Sequence, residues 1–351
     1  MIQPWLQDTW TRLVELGERL PHALLFVGPP GLGKRALVEA LAARLLCEAP
    51  TADGHGCGRC TACQWRLAGN HPDLHHLVPA ADLVAEGAES EGADPGAKEG
   101  KAKSAQILIE QVRDLQASLS VTGHHSSRRV IVLDPAEAMN VFTANALLKL
   151  LEAPPVGCVF LLLSSAPRRL LPTIRSRCQQ WSFSRPSADS LQPWKAKADA
   201  QLLALLALAG GMPLAAERMA ATGTGALLAR FVRDVSALQA ADALRVAAQW
   251  EAWLKSREAL AAGFGLPELC AWMQCWVGDL AALRMGGRLR FFPAQEGLMS
   301  ALASRCSIAA LSGCYNETMQ IRKLSRHPLN TRLVLEDMLL RYARALAGAR
   351  P

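Results

Sequence analysis

Aromatic side chains are scarce in this 351-residue chain, at 5 % of the total with two tyrosines. Platforms for single-stranded nucleic acid interleave aromatic and basic residues. Around the chain's clustered cysteines only Trp65 fits that pattern, which weighs against a base-stacking module. Long apolar runs are missing too: none approaches the roughly 20 residues needed to cross a bilayer as a helix. The opening "MIQPWLQDTW" lacks the charged-then-apolar layout of a signal peptide, so the expected compartment is the cytoplasm, with no membrane partner. Strong charge imbalance is also absent. The 38 Lys and Arg against 31 Asp and Glu leave +7, a mild basic excess compatible with a nucleic-acid or phosphate partner and equally with none.

What is present is the composition of a globular protein, 50 % hydrophobic and 20 % charged, long enough for two or three domains. Ten cysteines in a reducing compartment argue against a disulfide framework. Cys47, Cys57, Cys60 and Cys63 are crowded into a C-x9-C-x2-C-x2-C arrangement. Thiolates two residues apart can wrap one ion through a tight knuckle, and "CGRC" supplies a glycine for the turn. The pattern predicts a structural zinc site, closed to catalysis because four sulfurs leave no position for water. A redox C-x-x-C pair is the competing reading; an overlapping triple with a fourth cysteine upstream favours zinc. His55, His71, His75 and His76 are expected on the surface or in packing rather than as ligands.

"GPPGLGKR", residues 28–35, is a phosphate-binding loop with one letter changed. It follows the apolar run "ALLFV" and opens a helical pattern, the strand–turn–helix setting such a loop requires. Gly28, Gly31, Gly33 and Lys34 supply the cradle. The last position calls for a hydroxyl to ligate the nucleotide's Mg²⁺, and Arg35 stands there instead. A guanidinium about 4 Å from a divalent ion would repel it by about 8 kcal/mol at an effective dielectric of 20. Asp134 ends a buried strand, "RRVIVLD", where a carboxylate reaches the Mg²⁺ shell, but Pro135 follows it where a water-activating glutamate is expected. Glu137 lies past the strand end and is a weak substitute. Such a site can hold ATP but is not expected to hydrolyse it.

Strands alternate with helices through "TANALLKLLEAPP" and "CVFLLLSSAP", which predicts a mainly parallel sheet covered on both faces. Residues 80–104 lack an apolar period and read as a solvated insertion. After about residue 186 the chain is Ala- and Leu-rich and helical, with a break near "AATGTG". No internal repeat is evident.

The run "TANALLKLLEAPPVGCVFLLLSSAPRRLLPTIRSRCQQWSF" (143–183) resembles the clamp-loader branch of the AAA+ family. The phosphate loop, "NHPDLHHL" after the cysteines and "LNTRLVLEDMLLRYAR" near the end extend the likeness over nearly the whole chain, apart from 80–104. The resemblance implies an α/β AAA+ core at 1–185 carrying the zinc module at 47–63. An all-helical lid at 186–225 and an all-helical collar for oligomerisation at 226–351 complete it. It implies a place in the DNA polymerase III loader beside the gamma/tau ATPase subunits and the delta subunit, acting on the sliding clamp and primed DNA. It also implies that Arg177 of "SRC" reaches in trans to a neighbour's nucleotide, while Arg175 is the more natural partner for a local acid. Leu214 stands where active lids carry an arginine. The competing readings are an active ATPase motor subunit with an unusual loop and a zinc-dependent nucleic-acid binder.

Overall fold

The computed structural model describes residues 2–79, 81, 104–120, 128–325, 327 and 329–347. The expected insertion at 80–104 lies outside them, apart from Ala81 and Ser104, whose backbones share an N–H···O bond of 3.1 Å. The chain divides into two compact units, 1–191 and 192–351.

The first unit strings together α1 (Gln7–Leu16), β1 (Ala23–Val27), α2 (Lys34–Leu46), α3 (Thr61–Leu67), β2 (Leu74–Leu77) and α4 (Ile109–Ser120). Then follow β3 (Arg129–Leu133), α5 (Val141–Glu152), β4 (Cys158–Ser164), α6 (Pro172–Arg177) and β5 (Gln179–Ser182). The strands form one parallel sheet in the order β2-β3-β4-β1-β5. Side chains alternate across a strand, so each central strand feeds two cores. Leu24, Phe26, Val130, Val132 and Leu161 pack with Trp10 and Leu13 of α1 and Leu37 and Leu41 of α2. Leu25, Ile131, Leu133, Phe160 and Leu162 pack on the other side with Val112, Leu115, Leu147 and Ile174.

Local signals set the helix limits. Asn140 caps α5, its Oδ1 accepting the Thr143 N–H at 2.9 Å, and Pro154 and Pro155 prevent the helix continuing. The edge strands β2 and β5, "LHHL" and "QQWS", are not apparent as apolar runs because each pairs on one side only and stays partly exposed.

Helix α7 (Ala188–Lys195) crosses the unit boundary, and helices are the regular structure of the second unit's described residues, which contain no strand. It comprises α8 (Ala200–Leu208), α9 (Pro213–Ala221), α10 (Thr224–Ser236), α11 (Ala243–Leu254) and α12 (Arg257–Ala261). These precede α13 (Leu266–Arg284), α14 (Glu296–Ala303), α15 (Ile308–Leu324) and α16 (Thr331–Ala347). The break read at "AATGTG" is the α9–α10 turn, where Gly223 takes the left-handed φ of 76°. A small apolar cluster forms around Leu205, Leu206 and Ala216, and a larger one runs through α10 to α16. Met219 and Leu228 flank both clusters. No single helix among the described residues is long and apolar enough to cross a membrane.

The scarce aromatics are pooled in the larger cluster. Phe231 lies 5.6–6.1 Å from the rings of Trp250, Trp272, Trp276 and Phe292. Trp276 donates its indole N–H to the Tyr342 hydroxyl at 2.8 Å, both side chains being fully buried. Burial pushes the Tyr342 phenol far above its usual range, so it stays neutral. Tyr342→Phe would leave the indole N–H without its acceptor. The expected loss is about 1–3 kcal/mol of stability, read by urea unfolding of the helical unit through tryptophan fluorescence.

Candidate nucleotide-loop and metal sites

The degenerate phosphate loop sits at the C-terminal edge of the sheet, between β1 and α2. Gly33 caps α2 with φ 92°, and Gly31 has φ 82°, conformations that side chains with a Cβ rarely adopt. Lys34 is buried and turned onto the loop itself. Its Nζ donates to the carbonyls of Gly28 at 2.6 Å and Pro29 at 2.8 Å, and lies 3.4 Å from Ser165 Oγ. Burial pulls the Lys34 pKa down, and the carboxylates of Asp134 and Glu137 partly offset this.

Arg35 resolves the question posed by the missing hydroxyl. Its Nε lies 3.3 Å from Asp134 Oδ2. The guanidinium therefore places positive charge beside the carboxylate that follows β3. Pro135 contributes no acid. Glu137 is committed elsewhere, with Oε1 accepting the backbone N–H groups of Ser165 at 2.9 Å and Ala166 at 3.1 Å. It thereby ties the segment after β3 to the end of β4, a structural use that its sequence position did not reveal. Leu214 occupies the first turn of α9 and offers no cation.

The four cysteines converge. Their sulfurs all lie within 4.8 Å of one another, with Cys47 Sγ and Cys60 Sγ 3.8 Å apart. Zinc–sulfur bonds of about 2.3 Å in a tetrahedron place the sulfurs about 3.8 Å apart. Two helix ends build the site: Cys47 follows the last turn of α2, and Cys60 caps α3 by accepting the Cys63 N–H. Between them Gly58, at φ 73°, makes the knuckle. Backbone N–H groups of Cys57, Cys60 and Cys63 point at the sulfurs of Cys47, Cys57 and Cys60, at 3.2–3.4 Å. Such donors stabilise thiolates. Bonds from the Arg59 and Cys60 amides bring Cys57 down to about 6, whereas burial and neighbouring thiols push Cys63 up to about 12. This donor set fits a zinc ion.

The histidines remain outside the donor cluster. His55 stacks on Trp10 with ring centroids 4.8 Å apart, and His71 packs edge-on against Trp65 while its Nδ1 accepts the Asp73 N–H. His75 and His76 lie in β2, with His76 Nδ1 3.8 Å from Glu39.

Arg177 is the last residue of α6 and is exposed. Its Nη2 lies 2.5 Å from Glu152 Oε1, and its Nη1 donates to the Thr173 carbonyl at 3.1 Å. Local acid pairing thus falls on Arg177, whereas the Nε of Arg175 is buried and makes no hydrogen bond among the described residues.

The family described as DNA polymerase III, delta subunit matches residues 3–187. The DNA polymerase III subunit delta' of Pseudomonas aeruginosa is 37 % identical over 97 % of this chain and 97 % of its own length. The chain belongs to the DNA polymerase III delta' family. The delta' subunit of Escherichia coli is 30 % identical over 96 % of this chain and 94 % of its own. The tau subunit of Bacillus subtilis is 27 % identical over 50 % of this chain and 27 % of its own, a more distant likeness. The delta' likeness spans both compact units.

The cysteine geometry predicts about one zinc per chain by elemental analysis of purified protein. Replacing both Cys60 and Cys63 with serine should abolish it and expose the 47–63 segment to limited proteolysis. A tightly held ligand at about a thousandfold above its Kd stabilises its fold by about 4 kcal/mol. Unchanged metal content in the double variant would rule the site out.

Proposed function

We propose that this chain is the non-hydrolysing stator of the DNA polymerase III clamp loader, lending Arg177 to the nucleotide site of a neighbouring gamma/tau subunit. Membership of the delta' family supplies the loader. The observation that carries the stator reading is the Arg35–Asp134 ion pair, which sets a side-chain cation beside the carboxylate that would otherwise face a metal. Lys34, bonded to its own loop, and Glu137, bonded to two amides, have local duties compatible with a loop kept for its shape.

In this reading the helical residues 186–225, around the Leu205–Leu206–Ala216 cluster, form the lid, and 226–351 form the collar that joins the gamma/tau and delta subunits. The zinc stiffens the module between α2 and α3 and takes no part in chemistry. The sliding clamp and primed DNA are reached through the assembled complex.

Arginine fingers stabilise charge developing on a transferring phosphoryl group, and the chain that donates one need not turn over nucleotide. Arg177 suits that duty because it is exposed at a helix end. Its contact with Glu152 is a half-exposed ion pair, of a kind worth about 0–1 kcal/mol. A neighbour's polyphosphate can outcompete a partner so weakly held.

Two outcomes test the reading. The isolated chain should release no phosphate from ATP at ordinary enzyme rates, about 1 s⁻¹ or more. Turnover abolished by Lys34→Ala would instead support an active motor. In a reconstituted loader, Arg177→Ala should preserve assembly and zinc content while slowing the adjacent ATP site by about 10³-fold or more. Arg175→Ala should leave that site's rate near wild type. Unchanged DNA- and clamp-stimulated turnover at the adjacent site, with assembly confirmed, would return Arg177 to a structural role.

A further inference from the structure

The helical unit contains a cleft of about 580 Å³ lined by α13, α15 and the turn that follows α13. Three guanidinium groups line it, from Arg288, Arg290 and Arg322, alongside one carboxylate, Asp279. That carboxylate is buried and already engaged. Its two oxygens accept the backbone N–H groups of Arg290, Phe291 and Phe292 at 2.8–3.0 Å, which pins the arginine-bearing turn to α13. Arg322 donates to the neutral Gln274 amide at 2.7 Å, and Arg290 lies over the Phe291 ring. None of the three arginines forms an ion pair with a carboxylate among the described residues.

The rest of the lining is largely apolar. Met285 is 66 % exposed and Ile308 49 % exposed, two large hydrophobic groups left in water at a cationic cleft. A nucleic-acid backbone would use the arginines but gives the apolar lining no matching group. A neutral apolar segment would leave the guanidiniums unanswered. Arginine, methionine and aromatic side chains together are the composition of protein-docking surfaces.

We propose that this cleft binds an acidic peptide segment of a protein partner, its carboxylates meeting Arg288, Arg290 and Arg322 and an adjoining apolar side chain packing on Met285 and Ile308. The anchored turn makes that part of the site preorganised, since Asp279 holds the Arg290–Phe292 backbone before any partner arrives.

The test uses the full chain with methyl-labelled methionines, titrated with a short peptide pairing aspartates with a Phe-Leu step. The Met285 methyl resonance, assigned through Met285→Leu, should shift and saturate while distant methionines do not. Replacing the aspartates with asparagine, or the Phe-Leu step with serines, should each weaken binding about tenfold. Arg288→Glu and Ile308→Ser, made separately on exposed side chains, should do the same while the remaining methionine resonances report an intact fold. No saturable shift at Met285, undiminished binding in both variants, or a larger Met285 response to single-stranded DNA than to the peptide would overturn the proposal.

Discussion

A carboxylate at the end of the strand facing a phosphate loop is, in a working ATPase, held in place by the metal it helps to bind. Here Arg35 lies against Asp134 from the first turn of α2, which sets a side-chain cation beside that carboxylate. The neighbouring contacts follow from the same arrangement. Lys34 is buried close to Asp134 and Glu137 and satisfies its ammonium on two carbonyls of the loop. Glu137 fastens the chain after β3 to the end of β4. The loop takes its turn from Gly31 and Gly33, both at positive φ, between β1 and α2.

Helix α2 connects this centre to the other one. Its N-terminus carries Lys34 and Arg35, and Cys47 at its C-terminal end supplies a sulfur to the four-cysteine cluster, about 20 Å away at 1.5 Å per residue. Between the two ends Leu37, Val38 and Leu41 are buried against the sheet. A single buried helix thus fixes both the phosphate-type loop and the four-cysteine cluster to one face of the core.

Much of this was legible in the sequence because the signals were local. The cysteine spacing foretold a four-sulfur cluster, and "ALLFVGPPGLGK" foretold a strand, loop and helix where β1 and α2 stand. Buried strands β3 and β4 announced themselves as apolar runs, whereas edge strands β2 and β5 did not, since "LHHL" and "QQWS" answer to solvent on one side. Long-range partners were also hidden. That Arg35 would pair with Asp134, 99 positions later, or that Glu137 would bond the Ser165 and Ala166 amides, depends on how the strands pair. The local acid contact of "RSR" fell on Arg177 rather than Arg175 because α6 ends beside the last residue of α5.

In the proposed stator, Arg35 stands in for the metal at Asp134. Electron paramagnetic resonance of Mn²⁺ with a non-hydrolysable ATP analogue addresses it directly, comparing the wild-type chain with Arg35→Ser. The wild type should leave Mn²⁺ as the freely tumbling nucleotide chelate, and the variant, with a hydroxyl restored and Asp134 released, should immobilise it on the protein together with the nucleotide. Identical behaviour of the two proteins, whether both bind Mn²⁺ or neither does, would contradict the account.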